Sequence, residues 1–428
     1  MRGPVSTKSR IMIVLPRLLL RRCLMPLLVA GGCHAQAADR PPVEVLHWWT
    51  AGGEAAALNA VRADLGLRGF VWKDSAVQGG DERKLLIAKA RNGTGQLPDA
   101  LQLHSFSLRE SAAYSRYVSW DALAAAEHWD QVVPVPLQQA AKVGGHWRAV
   151  PLNIHRSNWI WANKAIFDEL KLTPPTTFDE LLEVARRVKA AGYQPLAHGG
   201  EPWQHTLMFD NAVLAVGGPV WYRKSLIERD PVALASPKMV TVFEQVRALS
   251  QLVDGNAKGR AWNFATAMVA SRKAAMQLMG DWAKGEFSKR GQQAGRDFIC
   301  FPYPGTAGSY VFVADLFAMP DVGPARREGQ LALARTLMDP ATQKAFNLAK
   351  GSIPARSDVP LDDYDECARQ SSRDLHAAAK RHALVSRFVA ETPETLRNAV
   401  MAVVTQFVES DESAASAAAR LQRALRKP

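Results

Sequence analysis

Val43-Glu44-Val45-Leu46-His47-Trp48-Trp49 (VEVLHWW) opens the segment that decides the fold. Its β-branched and aromatic residues, bounded by Pro41-Pro42 and Gly52-Gly53, predict a strand. Residues 54–64 (EAAALNAVRAD) then have helical composition and spacing. Gly69–Val77 returns to strand, Asp81–Arg91 to helix and Ala100–His104 to strand. This alternation predicts an α/β domain, a parallel sheet covered by helices.

Towards the C-terminus, a hairpin around Gly144-Gly145 feeds a long extended stretch, Trp147–Trp161 (WRAVPLNIHRSNWIW). Its length suits a crossover between lobes better than an ordinary strand. A second helix-rich unit follows. Thr177-Phe178-Asp179-Glu180 is a capping box opening a helix over 181–191. Further helices are expected over 240–252, 263–271, 324–338 and 340–349, with strands over 274–279 and 297–303. Ser309–Met319 (SYVFVADLFAM) is a candidate return crossing, Lys350–Arg356 is extended, and helices finish the chain. Two α/β lobes with several crossings follow.

Towards the N-terminus, residues 1–37 read as a signal peptide. A cationic stretch through Arg22 precedes the apolar run Cys23–Ala30, and Ala35-Gln36-Ala37 gives the small-x-small cleavage pattern. That run is too short to cross a hydrocarbon core of about 30 Å. A second reading takes Ala30-Gly31-Gly32-Cys33 as a lipoprotein box with Cys33 acylated. Either way the expected location is periplasmic.

The leader also explains the charge. The chain carries 53 Lys+Arg against 41 Asp+Glu, net +12. Residues 1–37 hold six of those cations (Arg2, Lys8, Arg10, Arg17, Arg21, Arg22) and no acid, which leaves a mild excess of 47 against 41. Such an excess, without long basic runs, is no nucleic-acid footprint. Outside the leader region only Cys300 and Cys367 remain, either paired in an oxidising compartment or buried as free thiols. No Cys-x-x-Cys or His-x-x-x-His spacing accompanies them, so no metal is expected.

Enzyme signatures are missing. There is no G-x-S-x-G, His-Glu-x-x-His, P-loop or G-x-G-x-x-G after a strand, and no cofactor is implied. His198-x-x-Glu201-x-x-x-His205 has metal-type residues, but its Gly-Gly and Pro predict a turn with solvent-facing polar groups. Tryptophan is the positive signal, with 12 in the chain. Trp48-Trp49 beside Glu54, Trp203, Trp262-Asn263 and Asp281-Trp282 sit next to polar partners. A pyranose presents C–H faces to an electron-rich indole and hydroxyl edges to carboxylate, amide or ammonium groups. Trp72, Trp120, Trp129, Trp159 and Trp161 lie in apolar or amphipathic runs and are expected in the core.

At this point the sequence resembles a family. Glu44–Glu54 (EVLHWWTAGGE) looks like the mature start of bacterial glucose-binding proteins, the periplasmic solute-binding subunits of ATP-driven sugar importers in the maltose-binding cluster. The likeness continues through Gln102-Leu103-His104, Val150–Arg156, His198–Gln204, Ala274–Gly285, Pro304–Gly308 and Lys350–Pro354. The resemblance implies a two-lobed periplasmic binding protein fold of type II, with hinge-connected lobes and a ligand cleft between them. It implies that Trp48, Trp49, Glu54, Gln102 and His104 line the cleft from the first lobe, and that Trp262 and Trp282 wall it from the second. Asp315 resembles the carboxylate, and Lys350 the ammonium, that bind sugar hydroxyls. Asp281 and His155 match the pattern too, in the pocket or as a helix cap and hinge brace. Cys300 and Cys367 sit where many members have a disulfide. The implied lobes are 38–152 with 314–352, and 153–313 with 353–428.

There is one departure. Where the family has a pocket histidine followed by glycine, Ala383–Glu391 (ALVSRFVAE) places Ala390 and Glu391. The expected function is capture of a neutral monosaccharide by a monomer that docks on the membrane permease subunits of an ATP-binding-cassette importer. Sugar sensing for a chemoreceptor or sensor kinase, and an extracytoplasmic glycosidase, are the alternatives.

Overall fold

The strand at Val43–His47 is buried along its whole length, as a strand covered on both faces must be. Trp72–Ala76 and Ala100–Leu103 pair with it in parallel on either side, with the helices Gly52–Leu67 and Asp81–Asn92 as connections. Leu316–Ala318 and then Ala149–Pro151 extend this first sheet antiparallel, to five strands. The computed structural model describes residues 40–77, 80–94, 96–112 and 116–426. The signal-peptide reading and the Cys33 alternative lie outside them.

A second sheet has the order Phe298–Pro302, Trp159–Asn163, Ala274–Leu278, Gln194–Ala197. The helix Phe178–Ala190 packs on it, opened by the expected box: Thr177 Oγ1 accepts from Glu180 N at 3.2 Å. A third sheet is short and is built from the crossings themselves: Ile353–Pro354, Asn153–Arg156, Tyr310–Val313 and Leu384–Ser386.

The two long extended stretches are therefore broken. Residues 147–161 contribute strands to all three sheets, changing sheet at Leu152 and again at Ser157-Asn158. Residues 309–319 change from the third sheet to the first at Ala314-Asp315. One apolar cluster runs from the first sheet across part of the third to the helix Glu366–Lys380, and three others fill the rest of the chain. Trp72, Trp120, Trp129, Trp159 and Trp161 are all buried in them, as expected.

Cys300, on the strand Phe298–Pro302, is disulfide-bonded to Cys367 on the helix Glu366–Lys380, with Cα atoms 6.0 Å apart. Pro202–Tyr222 is a long helix with a kink at Gly218, where φ is +74° and Pro219 follows. No local pattern announced it. Among the described residues no helix is long and apolar enough to cross a membrane.

Candidate functional site

Three crossings between the sheets bring distant polar residues together. His155, on the strand Asn153–Arg156, is buried between two carboxylates. Its Nδ1 lies 2.5 Å from Asp281 Oδ1 and its Nε2 3.1 Å from Asp315 Oδ2. Asp315 also accepts from Gln102 Nε2 at 2.6 Å and Asn153 Nδ2 at 2.7 Å. The second Asp281 oxygen accepts the Arg156 backbone N–H at 2.9 Å. Burial alone would pull the His155 pKa down, but the Asp281 charge and the hydrogen bonds that the ring donates to both carboxylates outweigh it and hold it above the ordinary value. Burial likewise works against the Asp315 anion, yet His155, Lys350 and Asn153 keep its carboxyl well below the usual range. The centre is a cation clasped by carboxylates, with Asp315 ionised.

Glu54 and Lys350 form a second pair, 3.2 Å apart. Glu54 enters the first turn of the helix Gly52–Leu67, and its Oε2 accepts from Thr50 N and Ala51 N at 3.1 Å each. Lys350 ends the helix Pro340–Lys350. Next to them, Gly53 N donates to Glu286 Oε1 at 2.7 Å, joining a first-sheet helix to the helix Ala283–Lys289. The approach needs glycine: a Cβ on Gly53 would stand 2.6 Å from the Gly285 carbonyl carbon.

Aromatic rings border these groups. Trp48 stacks on His104 with centroids 4.9 Å apart, and Lys84 Nζ lies 3.8 Å from a Trp48 ring centroid. Trp48 N also donates to Gln102 Oε1 at 3.1 Å. Trp282 meets His155 edge-on at 5.3 Å and lies 6.4 Å from Trp203. Trp203, Trp262 and Trp282 pack against one apolar cluster and stay half-buried, like Trp48 and His104. Partly open indoles beside buried charges offer flat apolar faces next to hydrogen-bonding groups. Trp262 heads its helix, and its carbonyl accepts from Gln277 Nε2.

Trp49 is placed elsewhere. It is 2% exposed, against Phe317 and Phe346 in the first core. Neighbouring residues at a strand's end point to opposite faces, so one of the pair had to turn inward. Asn153, Glu286 and Lys84 are site neighbours absent from the candidate residues read in the sequence, and Trp203, read there as a tryptophan beside polar partners, stands with them. Asn153, two residues before His155 on one strand, carried the only local signal of contact.

His198 and His205 correct an expectation. They are 2% and 5% exposed rather than solvent-facing. His198 follows the strand Gln194–Ala197 and His205 sits in the first turn of the helix Pro202–Tyr222, so His198 Nε2 and His205 Nδ1 come within 3.2 Å, and Gly200 N bonds to Arg260 O beside them. Burial, with His205 and Arg260 nearby, pushes the His198 pKa down to about 3. No group of three or more His, Cys, Asp or Glu among the described residues has metal-holding geometry.

At the departure, Ala390 is buried and its carbonyl accepts from Ser105 Oγ at 2.6 Å. Ser105 follows His104 directly. Arg387 is committed to Asp210, at 2.8 Å.

Residues 88–344 match the family described as bacterial extracellular solute-binding protein. The chain belongs to that family. This solute-binding protein is 43% identical over 375 residues to a probable sugar-binding periplasmic protein of Brucella suis biovar 1, covering 87% of this chain and 89% of that one. A probable sugar-binding periplasmic protein of Rhizobium meliloti is 42% identical over 382 residues, covering 89% and 92%. Its fold is similar to that of the bacterial solute receptor AcbH, whose substrate preference is β-D-galactopyranose (TM-score 0.76, 16% identity, 89% of this chain and 97% of that one). It is also similar to maltose-bound T. maritima MalE3 (TM-score 0.74, 15% identity, 90% and 99%). The solute-binding protein thus has the two-lobed type II α/β fold.

Proposed function

We propose that this protein captures a neutral monosaccharide, glucose or a related aldose, in the periplasm and delivers it to the permease subunits of an ATP-binding-cassette importer. One observation carries the reading: the ionised Asp315–His155–Asp281 bridge and the Glu54–Lys350 pair converge beside half-buried Trp48, Trp203, Trp262 and Trp282. Carboxylates, ammonium and amide groups suit the hydroxyl edge of a pyranose, and the indoles suit its C–H faces. The relatives' names support the sugar class. The ligand set proposed is Trp48, Glu54, Gln102, His104, His155, Trp262, Asp281, Trp282, Asp315 and Lys350, with Trp203 added. The lobes proposed are 38–152 with 314–352, and 153–313 with 353–428, acting as a monomer.

No bond of the sugar needs to break. A glycosidase uses a protonated carboxyl as acid, whereas Asp315 is held as an anion and both Asp281 oxygens are occupied. Isothermal titration against glucose, galactose, mannose, xylose and maltose tests the reading. Affinity near micromolar, about 8 kcal/mol, is expected for one or more monosaccharides. Absence of heat and of any thermal shift across the panel would overturn it. Loss of uptake of the labelled sugar in a strain lacking the protein tests the importer.

A further inference from the structure

We infer that Glu391 and Arg109 form a latch between the lobes that sets how long the closed protein holds its ligand. Arg109 lies on the helix Ser105–Ser111, and Leu108 of that helix is in the core under the first sheet. Glu391 ends the helix Phe388–Glu391, and Phe388 is in the core of the second unit, with Phe243 and Phe407. The pair therefore joins helices packed in two different apolar clusters and, on the proposed division of the chain, in different lobes. Arg109 Nη2 donates to Glu391 Oε2 at 2.7 Å. Ser386 Oγ, on Glu391's own side, donates to Oε1 at 2.9 Å and holds the carboxylate towards Arg109. The single Ser105 hydroxyl proton is shared between Oε1 at 2.9 Å and the Ala390 carbonyl at 2.6 Å. Arg397 holds the Val389 carbonyl at 3.0 Å, bracing the same short helix.

None of these groups belongs to the proposed ligand set, yet Ser105 follows His104 directly. A contact made only while the lobes are closed stabilises that state alone, and so shifts the opening equilibrium. It slows ligand escape without needing to touch ligand. An exposed ion pair is worth little, but this one is partly sheltered, with side chains 36% and 21% exposed, and has a second donor from the opposite lobe.

The inference rests on the proposed sugar-binding function for its kinetic half only. In the mature full-length protein, Arg109→Ala and Glu391→Gln are compared with the wild type and with the charge swap Arg109→Glu/Glu391→Arg. Stopped-flow tryptophan fluorescence with the tightest-binding monosaccharide measures dissociation, and spin-label distances across the lobes measure opening without ligand. Each single variant should dissociate about tenfold faster, with association changed less than twofold and a larger open population. The swap should restore at least half of the change. Dissociation and opening that match the wild type in both single variants would overturn the latch. So would a swap no better than the single variants. If the wild type binds no sugar, the functional reading falls and the ligand-free distances alone decide the latch.

Discussion

His155 and Asp315 meet at 3.1 Å where two separate crossings between the sheets run side by side. Each crossing strand leaves the third sheet within a few residues of this contact, so the ion pair sits where the chain passes from one sheet to another. The other ring nitrogen is held by Asp281, which follows the strand Ala274–Leu278 of the second sheet. The imidazole thus ties the two crossings to the second sheet.

The bridge makes stability depend on pH in a definite direction. The His155 pKa is raised above its ordinary 6.5, so its contribution is complete below about pH 6.5 and is lost as pH rises through the folded value. The Asp315 pKa is depressed, so its share is complete above 3.8 and is lost only as pH falls through the lowered value. The Tm gap between wild type and His155→Gln should be flat from about pH 4 to 6.5 and shrink above that. A gap that widens towards pH 9 would refute the charged bridge.

His198 carries the opposite sign. Its pKa is pushed down to about 3, so the unfolded chain takes up a proton below 6.5 that the folded protein refuses. Stability then falls on the acid side, at up to about 1.4 kcal/mol per pH unit. Between pH 6.5 and 4 the wild type should lose Tm more steeply than His198→Gln. Parallel slopes would mean that the buried histidine pair titrates normally.

How much of this was legible in the sequence follows from range. Thr177 and Glu180 are three residues apart, and the box they form was readable on the page. The alternation from Val43 to His104 was readable too, since each element is punctuated by glycine, proline or a change of period. Residues 147–161 were seen as extended but not as three strands, because no periodicity marks where a chain changes sheet. His155 with Asp281, and Glu54 with Lys350, are 126 and 296 residues apart. No spacing rule reaches that far, and only the family resemblance named them. His198 and His205 misled because the Arg260 segment packed beside His198 is 62 residues on, beyond any local pattern. Trp49 was assignable in principle: a strand cannot turn two neighbouring indoles to one face.

Glu54 and Lys350 should show the asymmetry of a buried pair. Lys350→Met leaves the carboxylate buried without its cation, at about 3 kcal/mol. Adding Glu54→Gln removes that stranded charge while an amide oxygen still accepts from Thr50 N and Ala51 N. In urea titrations the double variant should therefore be more stable than Lys350→Met alone, although both lose sugar affinity. A double variant less stable than either single would show that the pair is not coupled.

The Cys300–Cys367 bond closes a segment with a sequence separation of 67. It links the second sheet to a helix that packs against the third. Chain entropy assigns such a crosslink about 4 kcal/mol. Replacing both cysteines by serine, or reducing the protein, should lower the urea midpoint accordingly, with the fold retained by circular dichroism. An unchanged midpoint would place the crosslink's effect outside the unfolded chain.

Ala390 decides whether the departure from the family reaches the ligand. The residue is 4% exposed, its carbonyl is held by Ser105, and His104 is the next residue along. An imidazole added there enters a packed inter-lobe contact, and overpacking costs about 1–3 kcal/mol. Ala390→His alone should therefore weaken monosaccharide binding by about tenfold. Glu391→Gly in addition removes the carboxylate that pins this helix to Arg109 and gives the backbone room to turn the ring inward. Because that change also breaks the proposed latch, the double variant should bind monosaccharides more weakly than the wild type overall, but with glucose, galactose and mannose reordered in a titration series in favour of the aldose whose hydroxyl the ring reaches. Wild-type affinity and ranking in both variants would show that position 390 faces away from the ligand, and that the missing histidine has no bearing on which sugar is held.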